Sequence, residues 1–221
     1  MATDRAEVSA EGARERILDA ALDLFGERGL TGTTVRDIAA RAKVNVAAIS
    51  YHFGGKDELY RAVAGTVIGS IEARVRSRIG NLLDKPPTDA EGALVALENL
   101  AATMIDVIVG PEEMRRVARF IIREQMQPTF AFEILFGVMS RLHGAATQLM
   151  ALATGRPPES REAMLRVFLL LGQVLFLRIA EAAVLRRLNV ERYDEAFLSE
   201  VKALVRQNVR AMVAAAKEGR P

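Results

Sequence analysis

"KVNVAAISYHFGGKDEL", residues 43–59, interrupts a chain that otherwise reads as long aliphatic helices. Core packing does not call for an Asn, two alanines, a Tyr-His pair and a Gly-Gly-Lys in that order. Asn45 is a good N-cap, and Ile49 and Phe53, one turn apart, face inward. The opposite face shows Val46, Ala47, Ser50 and Tyr51. Small side chains let a helix sit deep in a DNA major groove. There Val46 and Ala47 can touch thymine methyls, and Ser50 can bond to base or phosphate. Tyr51 and His52 have the reach and the donors for backbone oxygens. Gly54-Gly55 allows a tight approach, and Lys56 opens the next helix, where its ammonium and the free amides form an anion site.

Just upstream, residues 35–42 form a short helix with Val35, Ile38, Ala39 and Ala42 on its apolar side. Thr34 can cap it while Asp37, three residues on, reaches back in a capping box. A first helix over 13–28 puts Ile17, Ala21, Leu24 and Phe25 on one face, and Gly29 is placed to end it. Two short helices joined by about three residues make a helix-turn-helix. The charge agrees. Residues 28–56 hold Arg28, Arg36, Arg41, Lys43 and Lys56 against Asp37 alone, a local +4, although residues 1–60 carry 8 basic against 10 acidic side chains, a net −2. Positive charge gathers where phosphate contact needs it.

The remainder sets bounds. In 221 residues, 50% are apolar and 26% charged, which suits a globular chain with a sizeable core. The absence of Cys excludes disulfides and thiolate metal sites and fits a reducing cytosol. His52 and His143 are too far apart in sequence to suggest a metal site, and no cofactor motif is present. "MATDRAEVSAEG" lacks the apolar stretch of a secretion signal. The run Val167–Leu185 contains Gln173, Arg178 and Glu181, and its uncharged part is too short for a bilayer, so a buried helix is expected and no membrane contact.

Pro86-Pro87, Pro111, Pro128 and Pro157-Pro158 fall between helical patterns. The expectation is an all-α chain of about nine helices: 13–28, 35–42, 46–52, 56–82, 89–109, 112–126, 129–153, 159–188 and 194–217. Residues 1–10 and the tail "KEGRP" are expected to lie outside ordered structure. In the fourth helix, Leu59, Val63, Val67, Ile71, Val75 and Ile79 recur every four residues. Each step overshoots a turn by about 40°, so the stripe drifts roughly 200°. Such a stripe can face one body at its start and another at its end. The expected division is a DNA-binding domain over 11–58, a connecting helix over 56–82 and a helical domain over 85–217. The helix over 159–188 is apolar nearly all round. Together with Phe197, Val201, Leu204, Val205 and Met212 of the last helix, it suggests a homodimer through four helices, with Phe168, Leu171, Leu175, Arg178, Val201 and Val205 at the seam.

"RILDAALDLFGERGLTGTTVRDIAARAKVNVAAISYHFGGKDEL" resembles the DNA-binding domain of the TetR family of bacterial regulators, continuously over residues 14–60. The resemblance implies a DNA-binding domain of helices 1–4, a variable helical ligand domain and a dimer through the last two helices. It places Thr34, Arg36, Asn45, Val46, Ala47, Ser50, Tyr51, His52 and Lys56 at positions that commonly contact DNA. Two departures stand out. Lys43 occupies a turn position where the family usually has Gly; in the left-handed region it costs about 1–2 kcal/mol, offset by a phosphate contact. Ser50 stands where Tyr is common, with Tyr51 following, so no operator sequence carries over. "RFIIREQMQPTFAFEILF" and "LLGQVLFLRIAEAAVLRRL" resemble the CecR-like branch.

Arg115, Arg116, Arg119 and Arg123 line one helix face, where Glu112 is placed to pair with Arg115 or Arg116; a solvated face is expected. Met104, Met114, Met126, Met139 and Met150 are individually core residues and collectively could line an adaptable pocket. Met104, Met126, Met139, Glu124, Gln125, His143 and Gln173 are collectively the candidates for binding a small-molecule effector, although each polar member alone is more often a satisfied buried group or a dimer contact. Gln173 and Arg178 fit the dimer seam equally well. The implied protein is a cytoplasmic, nucleoid-associated homodimer that binds a palindromic operator on double-stranded DNA and is released by an effector, with no catalytic residue, metal or cofactor. The alternatives are a DNA-binding regulator controlled by a partner protein, and an enzyme using Glu124 and His143 as an acid-base pair.

Overall fold

The computed structural model describes residues 2–110 and 112–218; the side chains of residues 2–10, 78–79, 81–84 and 112 lie outside the description. The described helices are α1 (Ala2–Arg28), α2 (Val35–Ala42), α3 (Val46–Phe53), α4 (Lys56–Asp84), α5 (Ala90–Ile108), α6 (Glu112–Met126), α7 (Phe130–Thr154), α8 (Arg161–Ile179), α9 (Glu181–Leu188) and α10 (Glu195–Glu218). Among the described residues there is no strand, and the all-α reading holds. α1 begins well before residue 13. Pro111, the end of the tail, and the side chains of Ile79 and Glu112 fall outside the described residues.

The helix expected over 159–188 is two helices, bent by 75° at Ala180. Ala180 leaves helical geometry at φ −99°, ψ 22°, while its amide still donates to the Phe176 carbonyl. A break orphans carbonyls on its N-terminal side. The Tyr193 hydroxyl donates to one of these, Leu177, at 2.8 Å. Arg178 Nε donates to the Ile108 carbonyl that ends α5, 2.9 Å away, and its Nη1 pairs with Glu181 at 2.6 Å. No Pro or Gly marks position 180. The bend is held by distant partners.

The chain divides into two compact units. The first comprises residues up to Ser70 together with Arg116–Gly137, and the second comprises Ile71–Arg115 together with residues from Val138 on. The expectation from sequence placed residues 85–217 in one helical domain, whereas the compact units divide that stretch at Arg115–Arg116 and Gly137–Val138. α6 and the start of α7 group with the first unit because their side chains are spent there. Arg116 Nε meets Asp23 at 2.5 Å and its Nη2 donates to the Asp19 carbonyl at 2.7 Å; Arg123 donates to the Gly26 and Glu27 carbonyls at 3.1 and 2.7 Å. Arg119 lies 3.7 Å from Glu27. Of the four arginines on the face expected to be solvated, Arg116, Arg119 and Arg123 clamp α1.

Tyr60 of α4 sits at the middle of the first unit, ringed by Phe25, Phe120 and Phe130 at centroid distances of 4.6, 5.1 and 5.7 Å. The α4 stripe behaves as its drift predicts. Leu59, Val63 and Val67 are buried in the first unit, and Ile71 and Val75 in the second. In the second unit α5 is the central helix, packed against α8 through Val167, Leu170 and Val174 and against α10 through Val201, Val205, Val209 and Val213.

The residues expected at a dimer seam differ in how much of them this packing leaves exposed. Val201 and Val205 are 9% and 5% exposed and belong to the chain's own core. Arg178 is tied to Ile108 and Glu181. Leu171 and Leu175 are half-buried. The apolar surface left open is Leu165, Phe168, Leu169, Phe176 and Ile179 of α8 with Leu204 of α10. Leu165, Leu169, Gly172 and Phe176 follow the i, i+4, i+7, i+11 spacing of one helix face.

Candidate nucleic-acid interface

The α2–turn–α3 segment is built by local hydrogen bonds. Thr34 Oγ1 accepts from the Asp37 amide at 3.1 Å, and Asp37 accepts from the Thr34 amide at 3.1 Å and from its hydroxyl at 2.7 Å. These bonds, with Arg28 nearby, hold the Asp37 carboxyl below its ordinary range. α2 ends at Lys43, which is left-handed at φ 56°, ψ 47°. Its amide donates to Ala40 and that of Val44 to Ala39, at 3.3 and 3.0 Å, a Schellman pattern with lysine in the glycine position. Arg16 of α1 adds a donor to the Ala42 carbonyl at 3.3 Å. Asn45 then caps α3 through the Ala47 amide, at 2.9 Å.

Lys43→Gly is therefore expected to raise folding stability by about 1 kcal/mol, part of the left-handed cost being offset by glycine's extra freedom when unfolded. Urea denaturation measures it. An unchanged midpoint would mean that the turn carries no strain.

α3 is fixed from one side. Ile49 is 1% exposed, and the Arg14 guanidinium lies 5.3 Å from the centre of the half-buried Phe53 ring. The other side is open: Val46 is 41% and Tyr51 83% exposed, and Asn45, Ala47 and Ser50 are exposed with them. The half-buried His52 packs edge-on to the Tyr51 ring at 5.0 Å. Thr34, Arg36 and Lys43 are also exposed, and Arg36 and Lys43 make no ion pair among the described residues. One expected site residue does other work. Lys56 Nζ donates to the Leu30 and Thr33 carbonyls at 3.0 and 3.1 Å, which ties the α1–α2 connection to the start of α4. The buried Thr33, which the pattern did not single out beside its capping neighbour, completes this tie by donating to the Leu24 and Gly29 carbonyls. Arg28 and Arg41 are likewise partnered, by Asp37 and Glu27 at 4.0 and 3.8 Å.

The residues expected to form an effector pocket are divided between the two units. Glu124 is fully buried and bonded to Tyr60 and Thr129, while Gln125 and Met126 are exposed, all in the first unit. Met104 and Met139 are half-buried in the second unit, His143 packs on Phe168 at 5.2 Å, and Gln173 accepts from Asn208 at 2.8 Å. Burial lowers the His143 pKa from its ordinary value. The second unit does contain a cavity of about 850 Å³, and none of the seven candidates lines it.

Residues 17–63 match the family model described as bacterial regulatory proteins, tetR family. Residues 93–216 match that of the HTH-type transcriptional dual regulator CecR, C-terminal domain. The chain belongs to the TetR family, in its CecR branch. It is 32% identical over 206 residues to the HTH-type transcriptional dual regulator CecR of Shigella flexneri, covering 91% of this chain and 90% of that one. An HTH-type transcriptional repressor of Mycobacterium tuberculosis is 54% identical over 63 residues, 28% of this chain and 31% of its own length. A transcriptional regulator from Rhodococcus sp. RHA1 has the same fold, with TM-score 0.62 and 23% identity over 92% of this chain and 97% of its own. So has AibR, in complex with isovaleryl coenzyme A and operator DNA, with TM-score 0.63 and 16% identity over 87% and 97%. The helix-turn-helix is thus that of a DNA-binding transcriptional regulator. Among the described residues no single helix is long and apolar enough to cross a membrane.

Proposed function

We propose that two copies of the chain pair through α8 and α10 and read a palindromic operator with the exposed face of α3, acting as a repressor that a small molecule releases. The carrying observation is the division of α3: Ile49 anchors one side while Asn45, Val46, Ala47, Ser50 and Tyr51 are left facing solvent. Arg36 and Lys43 supply unpaired cations beside it for phosphates. The open apolar strip of α8 and Leu204 of α10 supports dimerisation, since contiguous apolar surface of this kind marks an interface. A dimer sets two recognition helices about 34 Å apart, on successive major-groove turns. The cavity in the second unit favours a small-molecule effector over control by a partner protein alone, which would suit a filled domain. AibR, with isovaleryl coenzyme A and operator DNA bound, is a precedent on the same fold. The effector need only bind the form without DNA more tightly.

Fluorescence anisotropy with DNA from the chain's own upstream region tests the reading. The expected result is a sequence-selective complex whose affinity falls steeply with salt. Leu169→Arg is expected to yield monomers and to weaken that complex at least about a hundredfold. A monomer with undiminished affinity would overturn the dimeric reading, and no selective complex up to about micromolar protein would overturn the whole.

A further inference from the structure

The cavity in the second unit collects four cationic side chains from four stretches of chain: Arg74 of α4, Arg115 of α6, Arg192 of the connection between α9 and α10, and Lys202 of α10. Three carboxylates share the lining, those of Asp106, Asp194 and Glu195. Two of these are already occupied. Asp106 pairs with Lys202 at 2.5 Å, and Asp194 accepts from the Phe197 amide at 2.8 Å, capping α10. Arg115 is 3.3 Å from Glu181, which is shared with Arg178. Arg74 and Arg192 make no ion pair among the described residues. Four cations against three carboxylates leave the lining with one cation in excess, and with Lys202 and Arg115 paired, Arg74 and Arg192 are the ones that give this concave site its positive potential. Its apolar wall is firm: Tyr193 is buried, stacked on Phe197 at 4.5 Å and anchored through its hydroxyl to Leu177, with Leu198 beside it in the lining.

We infer that this cavity binds a small organic anion, with Arg74 and Arg192 holding its carboxylate or phosphate and Tyr193 and Leu198 its apolar part. The inference rests on the effector reading above and gives it a site and a ligand class. It also gives the ligand something to act on. The boundary between the units falls at the Arg115–Arg116 peptide bond. Arg115 holds Glu181 in the second unit, and Arg116 holds Asp19 and Asp23 of α1 in the first. An anion that draws Arg115 off Glu181 moves the residue next to the α1 clamp.

The test uses fluorescent probes, which the absence of Trp makes easy to follow: 1-naphthoate, 1-naphthyl phosphate and the neutral 1-naphthylmethanol, titrated into the full-length protein. Both anions are expected to bind at least about tenfold more tightly than the alcohol, and the tighter of the two identifies carboxylate or phosphate. Arg74→Ala and Arg192→Ala are each expected to weaken the anions about tenfold without lowering the melting temperature, and to leave the alcohol unaffected. Equal affinity for alcohol and anions, no anion binding to roughly millimolar concentration, or both variants binding as the parent would overturn the inference. Operator anisotropy in the same samples separates the two claims. Anion binding without operator release keeps the site and removes its effector role; release by other compounds without anion binding removes the site and keeps the effector.

Discussion

Glu124→Ala is expected to cost about 3–5 kcal/mol of folding stability, read from urea denaturation with no ligand present. The carboxylate is fully buried. It accepts from the Tyr60 hydroxyl at 2.5 Å, the Thr129 amide at 3.2 Å and the Thr129 hydroxyl at 3.0 Å. Alanine removes the acceptor and leaves a buried phenol and an amide with nothing to bond, each at about 1–3 kcal/mol. It also removes what holds the turn from α6 to α7 against α4. Glu124→Gln separates the bonds from the cavity: its oxygen can serve Tyr60, but its amide group cannot accept from Thr129, so about half the loss should remain. An alanine variant within about 1 kcal/mol of the parent would mean that the network is not a structural centre.

The same network makes a pH prediction. Burial, then the hydrogen bond to Glu124, pushes the Tyr60 pKa well above its ordinary value of 10.0. A raised folded-state pKa contributes stability that is intact below pH 10 and is lost as pH rises, because the unfolded chain gives up its phenol proton first. Tyr60→Phe should therefore be less stable than the parent at neutral pH yet decline less above pH 10.

The parts legible from sequence were those whose partners lie within a turn or two. Thr34 and Asp37 are three residues apart, Asn45 caps an amide two residues on, and the family's usual Gly at the turn pointed to the left-handed conformation that Lys43 adopts. One face of α3 had to be apolar, so the other was open by elimination. The clamp of α6 on α1 was invisible because its bonds span more than ninety residues. Spacing showed that four arginines share a face and could not show that Asp19, Asp23, Glu27 and three α1 carbonyls meet three of them. Glu124 had two readings, a satisfied buried group and a ligand contact, and spacing could not choose between them. A carboxylate in an apolar helix signals a buried polar partner, and only coordinates show that Tyr60 fills that role, not a ligand. Val201 and Val205 are buried within the chain itself, where the sequence suggested a second copy. Periodicity identifies a buried face and is silent about what buries it.

Ala47→Glu is expected to abolish selective operator binding, with affinity falling at least about a hundredfold, while leaving the melting temperature within a degree or two of the parent. Ala47 is exposed on α3, two residues past its cap, and glutamate is nearly as good a helix former, so the fold has little to lose. If this face enters the major groove, the new carboxylate replaces a methyl that fits against a base edge. It also carries negative charge toward phosphates that Arg36 and Lys43 are placed to attract. Lowering the salt should not restore selectivity, because it strengthens every phosphate contact alike and cannot move the carboxylate off the bases. Ala47→Ser, which keeps the size and adds a neutral donor, should lose about tenfold or less and alter base preference where it touches. A glutamate variant that binds within threefold of the parent would place the DNA against some other surface, and with that the assignment of α3 as the reading helix would fail.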